Sequence, residues 1–283
     1  MKTPSDWDKP VFLMNFPISV SNKEPNNEWM RPDEQGPYKL DHAMHQWQEL
    51  YSWLAHSSLV YILPGHDNLQ DLPFVANLGC FLPHLGDAII ISNFTSQPRK
   101  FESEIGWEFF KIFDGYRLFQ SPFCFEGEAD LKWVRDNIYI GGWGSRSTRE
   151  AFKWMRHVFD MEIIEIEMTD PKLYHLDCVF FPMTEKKAIV NVHAIKMPDL
   201  KKLGAVVDFV EVKPSYKYEG WTNVVRLGRS LLHAPGKLDW HPFAEVLKKH
   251  DFHLEIFDLT EFDKSGADLS CLCMHLNTKN RYG

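Results

Sequence analysis

Leu173-Tyr174-His175-Leu176-Asp177-Cys178-Val179-Phe180-Phe181 is an apolar run broken by two polar side chains at alternate positions. Successive side chains of a strand point to opposite faces. Read as a strand, the run puts His175 and Asp177 on one face, and Leu176, Cys178 and Phe180 on the other. A lone strand histidine is more often structural than catalytic. A histidine and an aspartate buried together are a different case, because burying both without a purpose is costly. Comparable apolar, β-branched or aromatic runs recur at residues 11–14, 59–63, 74–76, 88–91, 116–119, 138–140, 162–167, 179–181, 188–192, 206–212, 223–227, 252–257 and 269–276. These read as strands. Helical spacing occupies 40–55, 101–113, 147–158 and 241–250, with a weaker fifth segment near 198–203. The third opens on Ser147-Thr148-Arg149-Glu150, the pattern of a capping box. Strands alternating with helices from end to end, with no linker between them, give an α/β fold.

The 283 residues are 44% apolar and 14% aromatic, enough to bury a large core, and intrinsic disorder is excluded. A balance of 31 Lys+Arg against 39 Asp+Glu gives a net charge of -8. A sequence-independent nucleic-acid binder needs the opposite sign, so no nucleic-acid partner is expected. No stretch approaches the roughly 18 apolar residues of a membrane span. Residues 1–6 lack a hydrophobic leader core, so secretion is not expected. The five cysteines, Cys80, Cys124, Cys178, Cys271 and Cys273, are odd in number and widely spread. That pattern fits reduced thiols in a cytoplasmic setting better than a disulfide framework.

Two further stretches carry reactive groups. Phe125-Glu126-Gly127-Glu128-Ala129-Asp130 is an acidic cluster after a strand, and a solvated turn is the plain alternative. Gly266-Ala267-Asp268-Leu269-Ser270-Cys271-Leu272-Cys273-Met274-His275 alternates Cys271, Cys273 and His275 on one face if it is a strand. A zinc site is one reading, weakened by the absence of a partner ligand pair. Buried inert cysteines are a second. A nucleophilic cysteine after a glycine turn, where a substrate approaches the backbone closely, is the third. Gly141-Gly142-Trp143-Gly144 lacks both the dinucleotide spacing and the P-loop lysine.

Taken in order, several segments resemble the guanidino-group modifying superfamily of arginine deiminases, dimethylarginine dimethylaminohydrolases, amidinotransferases and arginine dihydrolases. They are Asn27-Glu28-Trp29-Met30, Asp71 through Gly79, Asn93-Phe94 through Arg99 to Glu102, Phe125-Glu126-Gly127 with Asp130, Gly144-Ser145-Arg146-Ser147, Tyr174-His175-Leu176-Asp177 and Cys271-Leu272-Cys273. The Phe-x-x-Asn-x-Gly and Tyr-His-Leu-Asp forms are most similar to the arginine dihydrolase branch. The resemblance implies a five-fold pseudo-symmetric α/β-propeller (pentein) of ββαβ modules, with residues 1–283 forming one catalytic domain. It places the nucleophile on Cys271, the general acid/base on His175 and the orienting carboxylate on Glu126. Asp177 and Asp130 fall where carboxylates hold the guanidinium. Arg99 and Arg146 fall where the amino-acid carboxylate is bound or the pocket supported. The implied reaction is arginine plus two waters to ornithine, carbon dioxide and two ammonia, with no metal or organic cofactor. A deiminase or dimethylarginine hydrolase that stops at citrulline is the alternative, and an amidinotransferase or a guanidino binder is more remote. Asn77 favours the dihydrolase, since the other hydrolases tend to place an acid in that segment. The implied partner is a small guanidino substrate, and a homo-oligomer is compatible with the resemblance. Two departures bear on substrate identity: Ala267 and Asp268 where glycines are common, and Glu128-Ala129 between Glu126 and Asp130.

Overall fold

The computed structural model describes residues 3–278; Met1 and Lys2, part of the stretch read for a leader, and residues 279–283 lie outside the described residues. Five three-stranded sheets follow one another along the chain. The first is completed from both directions: β1 (Val11–Asn15) pairs in parallel with β2 (Leu59–Leu63) and antiparallel with β15 (Met274–His275). The second holds β3 (Gly79–Leu82), β4 (Ala88–Ile91) and β5 (Arg117–Gln120), and the third β6 (Leu131–Arg135), β7 (Ile138–Trp143) and β8 (Glu162–Glu167). The fourth holds β9 (Phe180–Pro182), β10 (Lys187–Val190) and β11 (Asp208–Glu211), and the fifth β12 (Val225–Leu227), β13 (Ser230–His233) and β14 (His253–Ile256). In every sheet the middle strand has one antiparallel and one parallel neighbour.

A parallel pair needs a crossover, and a helix supplies each one. These are α1 (Leu40–Ser57), α2 (Glu102–Lys111), α3 (Arg149–Phe159), α4 (Met197–Gly204) and α5 (His241–Lys248). All five agree with the helical segments of the sequence to within a few residues. In α1 the buried apolar side chains are Ala43, Trp47, Leu50 and Leu54, spaced for one helical face. They pack with Phe12, Met14, Leu269 and Leu272 in one core cluster. Each fully buried Leu or Phe there contributes about 1.5–3 kcal/mol.

Three apolar runs do not behave as strands. Residues 74–76 lead into a 3-10 turn, Val75–Asn77. His175 is extended, but Leu176–Cys178 is a 3-10 turn and the strand starts only at Phe180. Residues 269–276 divide into a 3-10 turn, Leu269–Leu272, and the two-residue β15. Neither His175 with Asp177 nor Cys271 with Cys273 and His275 therefore shares a strand face. Three strands escaped the sequence reading: β3, β6 and β13. Each has a glycine, lysine or serine within its first two positions, which breaks the apolar signature.

These three turns and the acidic one at Glu126 have one position in common. Asn77, Glu126, His175 and Cys271 all lie in the segment just before a module's opening strand, respectively β3, β6, β9 and β15.

Candidate active site

The four pre-strand turns meet. Glu126 accepts a hydrogen bond from His175 Nε2 at 2.9 Å, and that nitrogen lies 3.3 Å from Asn77 Nδ2. All three residues are buried. Gly127, with a φ of 63°, lets the acidic turn press onto the Asn77 turn. A Cβ there would stand 2.6 Å from Ala76 O and 2.7 Å from Asn77 C, so only glycine fits. Glu126 Oε1 also accepts from Thr95 N–H at 3.3 Å and lies 3.6 Å from the Arg146 guanidinium. Burial alone would raise the Glu126 carboxyl; the His175 hydrogen bond and the Arg146 charge overcome it and hold the group at about 2. Glu126 is thus an anion fixed against His175.

Ser147 is not a helix cap. The N-cap of α3 is Thr148, and Ser147 turns inward to donate to Asp130 Oδ2 at 2.6 Å while accepting the Glu126 N–H at 3.0 Å. Asp130 Oδ1 accepts the Leu176 N–H at 3.1 Å. One Asp130 oxygen thus holds the Ser147 hydroxyl that receives the Glu126 N–H, and the other holds the backbone next to His175. Asp130, expected from the resemblance to hold a guanidinium, does not line the pocket of Cys271 and lies behind the Glu126–His175 pair. Burial pushes its carboxyl up to about 6, against the opposing charge of His175 and the Ser147 hydrogen bond.

Cys271 lines a pocket together with Asn77, His175, Asp71, Arg146 and Tyr174. Burial pushes its thiol up to about 12, with the Asp177 carboxylate adding to the rise. Asp177 Oδ2 accepts from Ser270 Oγ at 2.9 Å, tying the His175 turn to the Cys271 turn. Gly266, also left-handed (φ 63°), packs where a Cβ would meet Trp29 Cβ at 2.6 Å, so the 21–30 segment lies directly over the turn leading to Cys271. Tyr174 donates to Gly266 O at 3.0 Å and accepts the Arg146 guanidinium on its ring face at 5.0 Å.

The two arginines differ. Arg99 is buried and clamped on Glu102 (2.7 Å), with further bonds to the carbonyls of Asp71 and Phe74, both at 3.2 Å. It supports the pocket wall. Arg146 donates to Asn26 O at 2.6 Å and keeps its remaining donors toward the pocket and Glu126. Asp71, which sequence reasoning did not single out as a site residue, presents a buried carboxylate to the same pocket, held by Asn26 Nδ2 at 2.7 Å. Its place beside two future pocket arginines was invisible in one dimension. Cys273 is buried in the core beside Leu272 and Trp47, and His275 Nδ1 lies 2.6 Å from Glu128 Oε1, away from Cys271. The three potential zinc ligands are not gathered at one point, and among the described residues no group of three or more His, Cys, Asp or Glu could hold a metal ion.

The architecture has counterparts. The N-terminal domain of ArgZ from Synechocystis superposes with a TM-score of 0.86 at 21% identity, covering 95% of this chain and 98% of that one. A dimethylarginine dimethylaminohydrolase structure superposes with a TM-score of 0.72 at 14% identity, over 94% of this chain and 99% of that one. In sequence, the chain is 30% identical over 175 residues to the bifunctional arginine dihydrolase/ornithine cyclodeaminase AgrE of Nostoc, covering 61% of this chain and 24% of that protein. It is 25% identical over 255 residues to the dimethylarginine dimethylaminohydrolase of Mycobacterium tuberculosis, covering 89% of this chain and 80% of the relative. The chain is thus similar in sequence to enzymes that act on guanidino groups, and it shares their fold. It spans about a quarter of the bifunctional Nostoc protein's length, so the superfamily resemblance there concerns one portion of a larger protein. No family model matches the chain. Among the described residues no helix is long and apolar enough to cross a membrane.

Proposed function

We propose that the protein is a cysteine-dependent hydrolase of guanidino compounds, acting as an arginine dihydrolase. The observation that carries this reading is the meeting of Cys271, a Glu126-held His175 and Asn77 in one pocket that also contains Asp71 and Arg146. A nucleophile, a proton carrier and an oriented carboxylate make a covalent hydrolase. An anion and a cation in the same pocket match the ammonium and carboxylate of an amino-acid substrate. Related proteins support it: AgrE is named an arginine dihydrolase, and the ArgZ N-terminal domain has been seen covalently bound to a reaction intermediate.

The resting thiol is held neutral by burial and by Asp177. A guanidinium entering beside Asp177 brings a positive charge to the sulfur and favours the thiolate. The proton leaves by way of His175. With Nε2 committed to Glu126, Nδ1 is the nitrogen that exchanges protons. The thiolate attacks the guanidinium carbon, the C–N bond to an amino group breaks, and His175 protonates the departing ammonia. The product is an amidino-thioether on Cys271. His175 then deprotonates a water, which adds to the same carbon and expels the thiolate, giving citrulline. Repetition on the ureido carbon releases the second ammonia. The second water leaves a carbamate, which loses carbon dioxide to give ornithine. Asn77 offers both a donor and an acceptor, so it can hold the neutral ureido group for this second round.

The reading takes residues 1–283 as a single catalytic domain, its five modules forming a pseudo-symmetric propeller around the pocket; a cytoplasmic homo-oligomer is compatible with it. The 25% identity to a dimethylarginine dimethylaminohydrolase favours, as the second reading, a hydrolase that stops at citrulline. One assay separates the two. Incubation with L-arginine should give ornithine and ammonia in a ratio of one to two, and intact-protein mass spectrometry after brief mixing should find an adduct on Cys271. Citrulline as the sole product would replace the dihydrolase with a deiminase. No turnover of arginine or methylated arginine, and no adduct, would remove the hydrolase reading.

A further inference from the structure

Asn77, Glu126, His175 and Cys271 occupy the turns before four opening strands, and the remaining module has such a turn as well. Ahead of β12 that turn carries Asn223. In the sequence the five residues 77, 126, 175, 223 and 271 follow one another at intervals of 48 or 49. Asn223 is 3% exposed. Its own N–H donates to Gly220 O at 2.9 Å, which fixes the turn. Its side chain then makes two bonds to the nucleophile's segment. Oδ1 accepts the Ser270 N–H at 2.8 Å, and Nδ2 donates to Cys271 Sγ at 3.8 Å.

We infer that Asn223 is a further catalytic residue, whose amide holds the Cys271 sulfur in place and donates a hydrogen bond to the thiolate. The inference rests on the reading of Cys271 as the nucleophile. The groups around that sulfur show why a donor is needed. Asp177 and Asp268 both oppose its ionisation, and Tyr174, Cys178 and Cys273 are neutral acids that would become further anions. Against them stand the Asp268 backbone and the Asn223 amide. Hydrogen bonds to a charged partner are about twice as strong as neutral ones. A side-chain amide gains most when the sulfur becomes an anion, which is the state that attacks.

The two functions of the amide can be separated by substitution. Asn223→Asp keeps the shape and the oxygen that accepts the Ser270 N–H, but replaces the donor with an acid. Asn223→Ala removes both. A packing role predicts that Ala does more damage than Asp; a thiolate donor predicts the reverse. The readout is the rate of iodoacetamide labelling of Cys271 at pH 9, followed by peptide mass spectrometry with half-buried Cys124 as internal reference. It needs no turnover, so it remains informative even if the arginine assay fails. Asn223→Asp should label Cys271 about 10–100-fold more slowly than the parent, the range expected for a lost hydrogen bond to a charged group. Its kcat should fall similarly while KM changes less. Labelling at the parental rate in a folded Asn223→Asp protein would overturn the inference, and so would a kcat for Asp equal to or above that for Ala.

Discussion

The acidic turn at 126–130 and the Cys271 turn at 269–272 occupy equivalent places in their modules, yet they are electrostatic opposites. In the first, Glu126 is held at about 2 and faces partners in place before any ligand arrives: His175, Thr95, Arg146 and, through its backbone, Ser147. In the second, the Cys271 thiol is pushed up to about 12 by burial and by Asp177. One half of the machinery is charged and assembled at rest. The other is uncharged at rest. A thiol silent in the empty pocket is protected from stray oxidants and electrophiles, because the thiolate is the reactive form.

Replacing the nucleophile should have the largest effect on that contrast. Cys271→Ser should fold normally and lose all measurable turnover, because a serine hydroxyl beside Asp177 is not ionised by a bound cation. Measured rates near the parental value would mean that the sulfur is not the attacking atom. Next comes the acid–base half. His175→Ala should lose several orders of magnitude in kcat, as each proton transfer is worth roughly 10²–10⁴-fold. Near-normal turnover would break the assignment.

A smaller effect tests the brace behind the pair. Ser147→Ala removes the bonds to Asp130 and to the Glu126 N–H, and should lower kcat about tenfold with a loss of about 1–3 kcal/mol in urea unfolding. No change in either would return Ser147 to the surface role of a cap. Asp130 offers a pH signature of the same brace. Its pKa is raised from 3.8 to about 6 in the folded protein, so its protonated form is the stabilised one. Its contribution is complete below about 4 and is lost as the pH rises through 6. Unfolding of Asp130→Asn compared with the parent from pH 4 to 7 should show a weaker decline across that window. Identical slopes would mean that Asp130 is not the titrating group. The smallest effect is expected at Cys273, in the core rather than the pocket. Cys273→Ser should keep most of the activity, and loss equal to that of Cys271→Ser would show the two positions to be exchanged.

The helices and most strands were legible because apolar periodicity reports which face is buried, and α1 to α5 are amphipathic crossovers. The turns were not. His175-Leu176-Asp177 and Cys271-Leu272-Cys273 have the alternation of strands, but their alternate residues serve a pocket and a core from 3-10 turns. Cys271, His175 and Glu126 were singled out through motif resemblance, and the structure brings His175 and Glu126 into direct contact. Ser147 was read as a cap because its spacing to Glu150 imitates one, whereas its hydroxyl has a partner 17 residues earlier. Asp71 and Asn223 carry no local signature. For Asn223 there was a long-range one: the 48- to 49-residue interval, which the helices repeat more loosely.

The pairing of β15 with β1 has a consequence for how the protein comes into being. Four sheets draw all their strands from a contiguous stretch, so each can form as it leaves the ribosome. The sheet begun by β1 and β2 has to wait for Met274 and His275, more than two hundred residues later. The turn bearing Cys271 is positioned by that same late event. The sulfur joins His175 in one pocket only after every other module has been synthesised, so a nascent chain stalled anywhere upstream carries that pocket unfinished.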